Sequence, residues 1–465
     1  MVMYSRGVSL LSRGVLLCLM LFLVGCATVE RMYYSVPGML PGTNADMKSV
    51  GYWIDRHPSP DRIVMNGGDI KRFNASITDE REITTDIFTL PDRCPADLVR
   101  EKVRVMVDWF RSRTLYHDDG GRAGGAFFDE MERRMGMQRL SDPVTVRFGV
   151  VTRYADQRVF PAAAGLYSKR GDVDFDELQN NALDVGTPVA IMHESIDGAW
   201  YYVVDELNAG WVKKESIALT ERHALECFAK AADFVVVTAP RVSLYRDRSL
   251  TGYAMYARTG TCFPLVGFPD GETVEIVVPL RDRDGSCTYD HGFVARRGVH
   301  KGFLPYTPRS ILSTSFNLLN APYGWGGMYG ERDCSRFVQS VFATVGIRLP
   351  RNSSKQALVG CALDDFGTDV SPAEKENRII EKGVGGITLL YMKGHIMIYL
   401  GSEQGKAYAV HDTWGYRIPT WRGDIVRVIG RTAVTDLHLG ERSRKGSYLD
   451  RIISVRAVVN DGVRE

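Results

Sequence analysis

Excess charge of one sign, regular cysteine spacing and a long apolar run are all missing from this chain, and each absence removes a class of function. With 58 lysines and arginines against 56 aspartates and glutamates, the formal net charge is only +2, so no electrostatic footprint for nucleic acid exists. The 8 cysteines contain no Cys-x-x-Cys pair, and no His-Glu-x-x-His occurs. The ligand spacings of a zinc site are therefore lacking, and no metal or other cofactor is expected. The apolar run Val15 to Val24 is too short for a conventional spanning helix. What is present is ordinary globular material, 45% apolar and 25% charged. A length of 465 residues gives room for about three domains with separate cores.

Arg6 and Arg13 precede the short apolar run, which is the build of a secretory signal over residues 1–25. The run ends in Leu23-Val24-Gly25-Cys26, which resembles a bacterial lipobox. That resemblance implies cleavage before Cys26, acylation of its thiol and attachment to a membrane; the alternative is an uncleaved N-terminal anchor. Ala27, by resemblance to Gram-negative lipoproteins, implies a periplasmic protein held at the outer membrane. Residues 26–50 then serve as a lipidated tether, with Pro and Gly concentrated between Tyr34 and Gly42. Cys94, Cys227, Cys262, Cys287 and Cys361 form an odd set that argues against a disulfide framework. Cys262 and Cys287 lie within one β-rich segment, so a bridge there and free buried thiols both remain open.

Residues 51–136 read as a small accessory module. It contains an expected helix over Ala96 to Ser112 whose apolar face is Leu98, Val99, Val103, Met106, Val107 and Phe110. Asp118-Asp119-Gly120-Gly121 departs from the spacing of a calcium loop and reads as a turn. Residues 140–222 and 228–312 are β-rich, with alternating apolar positions. Each closes alike, Gly210-Trp211-Val212 running to Ser216-Ile217 and Gly302-Phe303-Leu304 running to Ser310-Ile311, a faint internal repeat.

The chemistry concentrates in residues 317–457. After the turn Tyr323-Gly324-Trp325-Gly326-Gly327 comes Asp333-Cys334-Ser335, then Phe337, Val338, Val341, Phe342 and Val345 at helical spacing. Cys334 is thus expected in the first helical turn with Asp333 at the N-cap. Free N–H groups and the positive end of the helix dipole there favour a thiolate and offer an oxyanion hole. Gly394 to Gly401 and Lys406 to His411 read as a hairpin turning at Ser402-Glu403-Gln404-Gly405, which sets His395 within about one residue of the position opposite His411. A thiol needs a base, and the base needs an orienting partner. We assign Cys334 as nucleophile, His395 as base, with Gly394 giving room for close approach, and His411 as the orienting member.

The glycine turn, the Asp-Cys-Ser step, Leu349-Pro350-Arg351-Asn352-Ser353-Ser354 and the two histidines in order resemble the NlpC-type family of bacterial cell-wall cysteine peptidases. The resemblance implies an α+β papain-like catalytic domain, with Tyr323 beside the nucleophile and Asp333, Ser335 and Ser353 lining the substrate groove. The Gly-aromatic-aliphatic steps, together with Trp200 to Val204, resemble bacterial SH3-like domains. The whole is then multidomain: two small β-barrels behind a small N-terminal module and ahead of the peptidase. Implied partners are murein stem peptides or muropeptides and the membrane, for a monomer. The family's usual reaction is cleavage between γ-D-glutamate and the diamino acid of the stem peptide. In relatives of this domain order the first SH3-like domain roofs the groove and favours a free N-terminal L-alanine; Asp333, Asp176 or Glu177, with Tyr201 or Tyr202, are the groups expected to meet its ammonium. Two other readings are a non-catalytic wall-binding lipoprotein and a papain-like amidase or acyltransferase with a different substrate.

Overall fold

The computed structural model describes residues 33–35, 38–81, 83–268 and 271–460, and the expected signal segment and Cys26 lie outside the described residues. Three seven-stranded sheets organise the chain. The first runs in the order Ile217–Thr220, Arg147–Val151, Pro188–Glu194, Trp200–Val204, Ala209–Lys213, Ala155–Arg158, Gln179–Leu183, with antiparallel neighbours throughout. The second is also antiparallel. Its order is Tyr253–Arg258, Arg241–Tyr245, Cys287–Ala295, Thr273–Arg281, Cys262–Gly267, Phe234–Val237, Val299–Lys301. The two segments expected to be β-rich, 140–222 and 228–312, thus form one seven-stranded sheet each.

Their closing repeat is not equivalent in packing. Trp211 is fully buried beneath Tyr202, whereas Phe303 is 43% exposed and rests on Phe234 and beside Gly346 of the catalytic domain. The second aromatic is an interdomain contact rather than a barrel plug.

The single module expected over 51–136 is two pieces with different hosts. Trp53, Ile54, Phe73 and Ile77 share a core with Phe337 and Val341 of the catalytic domain. The helix Ala96–Arg111 and the helix Gly125–Met135 instead pack into a core continuous with Trp200, Trp211 and Val274 of the SH3-like sheets. In the first of these helices Val99, Val103, Val107 and Phe110 are buried, but Leu98 and Met106 are exposed. An i, i+4 stripe covers one narrow face, and those two residues fall off it.

The third sheet belongs to the catalytic domain, in the order Tyr33–Ser35, Gly423–Asp436, Lys406–Thr420, His395–Glu403, Thr388–Met392, Ile452–Ala457, Cys361–Asp365. The helix Cys334–Ala343 packs on its two central strands, burying Phe337, Val338, Val341 and Phe342 completely. Cys94, Cys227, Cys262, Cys287, Cys334 and Cys361 are all free thiols, Cys227 exposed, so Cys262 and Cys287 are not bridged. Among the described residues no helix is long and apolar enough to cross a membrane, and no cluster of three metal-ligating side chains occurs.

Candidate active site

Cys334 opens its helix, and the Asp333 side chain caps it by accepting the Arg336 N–H at 2.8 Å. The turn before it needs its glycines. Gly326 and Gly327 have φ of 61° and 92°, and a Cβ on either would sit 2.6 Å from Gln179 or Ala182 of the first SH3-like sheet. The turn is thereby clamped under that domain: Trp325 Nε1 donates to the Asp176 carbonyl at 3.0 Å, and Tyr154 Oη donates to the Gly327 carbonyl at 2.7 Å. Gly394 has a different role from the one expected. Open space surrounds it, and its φ of 82° serves the two-residue turn that pairs Met392 with His395.

A bulge brings the histidines onto one face. Near the hairpin turn Gly401 pairs with Tyr408, but past Tyr399 the register slips, so Ile398 pairs with Val410. Carrying that register on places Met397 opposite His411, with His395 two residues away and therefore on the same face. Without the extra residue the separation is odd and the rings point to opposite sides. His395 Nε2 lies 2.6 Å from His411 Nδ1, and His411 Nε2 lies 2.9 Å from Thr435 Oγ1. Tyr448 stacks on the His395 ring at 5.9 Å between centroids and meets His411 edge-on. If His395 Nδ1 is to take the thiol proton, Nε2–H donates to His411 Nδ1, and His411 Nε2–H donates to Thr435. One tautomer chain satisfies both His411 nitrogens and leaves His395 Nδ1 as the acceptor.

Burial dominates the electrostatics. It pushes the Cys334 thiol up to about 12, reinforced by Asp333 and opposed by a hydrogen bond from the Ile396 backbone N–H and by Arg351. It pulls His395 down to about 3, with Arg451 adding to the effect, and takes His411 well below its ordinary value. The resting pair is therefore thiol and neutral imidazole. Desolvation thus works against the thiolate that the helix N-terminus favours.

The groove residues divide. Asp333 is saturated: besides the cap it accepts from Gly326 N, Ser335 Oγ, and Arg351 Nη1 and Nη2 at 3.1, 2.9, 3.0 and 2.6 Å. Burial raises its pKa, yet Arg351 and these donors hold it net below the usual carboxylate range. Ser335 is buried in the same network, accepting from Arg351 at 2.8 Å. Neither offers a free group to substrate. Ser353 begins the short helix Ser353–Gln356, half-buried, and its hydroxyl makes no hydrogen bond among the described residues. Tyr323 is half-buried next to the nucleophile; desolvation, then Cys334 and Asp333, raise it well above its ordinary value. Asp176 is consumed by Arg158 at 2.5 Å, Glu177 by Arg113 at 2.8 Å, and Tyr201 and Tyr202 are buried in the barrel. The ammonium partners expected from sequence are thus all occupied.

Arg351, Thr435 and Tyr448 complete the site and were not singled out from sequence. Arg351 stood inside Leu349-Pro350-Arg351-Asn352-Ser353-Ser354, but its pairing with Asp333 emerges only in the fold. Thr435 and Tyr448 carry no signal in the sequence, since only the register and the chain's return bring them to the histidines. Asp412 is also unforeseen: fully buried, its carboxyl is pushed well up by burial, against a lowering by Arg332 and by the Thr432 hydroxyl.

Comparison with known proteins agrees with this architecture. Residues 320–416 match the NlpC/P60 family, and residues 166–213 match the SH3 domain of SH3b1 type. A γ-D-glutamyl-L-lysine dipeptidyl-peptidase of Bacillus cereus (strain ATCC 10987 / NRS 248) is 25% identical over 207 residues, covering 41% of this chain and 57% of that protein. The match thus spans little more than half the length of that relative. A solved NlpC/P60 endopeptidase from Photobacterium damselae subsp. piscicida superposes with a TM-score of 0.74 at 18% identity, covering 92% of this chain and 99% of that one. At that identity the likeness is one of fold. The chain is a multidomain protein with a segment that matches the NlpC/P60 family behind one that matches an SH3b domain.

Proposed function

We propose that this protein is a periplasmic cysteine endopeptidase that cuts the γ-D-glutamyl–diaminopimelate bond of murein stem peptides, lipid-anchored at the outer membrane through Cys26. The observations that carry the reading are the 2.6 Å His395–His411 contact and a buried thiol at a helix N-terminus. As Cys334 Sγ bonds to the γ-carbonyl carbon, its proton passes to His395 Nδ1, and the oxyanion faces the first helical N–H groups. The imidazolium then gives that proton to the departing amine as the C–N bond breaks. Water, deprotonated by the same nitrogen, attacks the thioester, and the proton returns to sulfur. No cofactor enters. His411→Asn is expected to lower kcat/KM about 10–100-fold, because an amide oxygen still accepts the His395 N–H; His395→Ala loses the base itself and is the more severe. Equal losses in the two variants mean that the roles are reversed.

The SH3b roof supports selection for a short peptide with a free L-alanine amine. With Asp333, Asp176 and Glu177 paired, the ammonium's partner in this reading is Asp174. It is exposed, accepts Trp414 Nε1 at 3.2 Å, and flanks the ring cluster Phe175, Trp325 and Trp414 at the mouth of the site. Its solvent access makes the pair weaker than a buried one, so N-acetylation of L-Ala-γ-D-Glu-diaminopimelate is expected to cost about tenfold in kcat/KM. Asp174→Asn should bring the free-to-acetylated ratio close to one. A ratio near one in the unaltered enzyme removes the gatekeeping and points to intact wall as substrate. Mass spectrometry of the new termini released from purified murein tests the bond itself.

A further inference from the structure

The hairpin formed by Lys406–Thr420 and Gly423–Asp436 carries the active-site His411 on one arm and ends in an exposed tip. Trp421 at that tip is 87% exposed, with the Arg422 guanidinium stacked on its ring at 4.4 Å. A second loop joins it: the Arg444 N–H donates to Asp424 at 2.8 Å, which sets exposed Arg442, Arg444 and Lys445 beside the tip. Asp424, already engaged by that N–H, and Glu441, which reaches Arg442 at 4.0 Å, are the carboxylates on these two loops. Further cations lie nearby: the Lys445 ammonium is drawn down by burial and then by Arg417, Arg451 and Lys169.

The chain's own path supplies the partner. Tyr33–Ser35 pairs in parallel with Val426–Val428, five residues beyond the tip. Tyr33 lies seven positions after Cys26, a span of at most about 25 Å. A lipid at Cys26 therefore keeps this tip within reach of the membrane surface. Tryptophan favours the interface between headgroup and acyl chain, and Lys and Arg near it are drawn to anionic headgroups.

We propose that the hairpin tip docks on the anionic lipid surface to which the chain is tethered, with Trp421 in the interface and Arg422, Arg442, Arg444 and Lys445 on the headgroups. This rests on the reading that Cys26 is acylated. Docking stands the hairpin on the membrane. His411, ten residues up the strand from Trp421, is then held about 30 Å above the surface, toward the wall.

The test uses the full chain on vesicles of phosphatidylethanolamine and phosphatidylglycerol with brominated acyl chains. Tryptophan quenching should occur, fall by at least half in Trp421→Phe, and stay unchanged in Trp109→Phe, which removes another exposed tryptophan on a distant helix. Arg444→Glu with Lys445→Glu should reduce the quenching severalfold. Quenching that is equal in Trp421→Phe and the unaltered chain, or equal on phosphatidylcholine alone, overturns the proposal. The acyl mass at Cys26, read on the same sample, separates the two readings. Acylated protein without Trp421 quenching refutes docking and leaves the anchor, while quenching without acylation supports docking and removes the anchor.

Discussion

Cys334→Ala is expected to reduce hydrolysis of stem peptides by at least about 10⁴-fold while the protein stays folded. In this reading the sulfur is the reacting atom, and the Ser335 hydroxyl in the same turn is committed to Asp333 and Arg351. Removing one buried sulfur from a site already tied down by Asp333 and Arg351 costs about 1–2 kcal/mol, too little to unfold the domain. Single-turnover assays with unchanged circular dichroism check both halves, and residual turnover above a few per cent overturns the assignment. The same chemistry fixes the pH profile. With the thiol near 12 and the His395 imidazole near 3, neither group changes charge across the neutral range. The kcat/KM profile should therefore be flat between about pH 5 and 7.5, with the acid limb appearing only as His395 protonates at low pH. An inflection near 6.5 would show instead a solvated histidine with its ordinary pKa.

The place of Cys334 in a first helical turn, its Asp333 cap and the strands that carry the two histidines were legible because each is a local pattern: an apolar helical stripe after Asp333-Cys334, and two strands around a turn. The histidine contact was legible only approximately. A bulge near Leu400 decides which face His395 takes, and nothing in the alternation of Gly394 to Gly401 announces it. The SH3-like units were readable from Trp200 to Val204 and Trp211, whereas Phe303 misled, since a Gly-aromatic step does not say which domain the ring will meet. Residues 51–136 failed for a similar reason. Amphipathic helices show that a face will be covered and are silent on what covers it. Asp333 shows the limit for charges: its place at the N-cap was visible, but its partner Arg351 became visible only in three dimensions, and that partner changes its role from substrate contact to scaffold.

Asp184→Asn should cause the largest loss of stability of any substitution outside the catalytic residues. Asp184, in the first SH3-like domain, accepts from Arg258 Nε of the second at 2.6 Å and from Arg336 of the nucleophile's helix. One carboxylate holds three domains together. Arg332 lies in the same cluster, its pKa drawn down to about 10 by burial and by Arg258. Burial alone would raise Asp184, but Arg258 and Arg336 prevail and bring it to about 2. An amide keeps the shape and strands two buried guanidiniums, at a cost of about 3–5 kcal/mol. Because the folded pKa lies below the unfolded value near 3.9, the carboxylate's contribution is complete above about pH 4 and fades as pH falls through 2. The stability gap between the unaltered protein and Asp184→Asn, measured by denaturant titration, should thus narrow by about 2–3 kcal/mol from pH 7 to pH 2. A gap that does not change with pH assigns the loss to packing rather than to the charge. The consequence reaches the active site. Arg336 is the residue whose N–H Asp333 caps, so loosening its side chain frees the first turn that presents Cys334, and kcat should fall even where enough protein remains folded to assay.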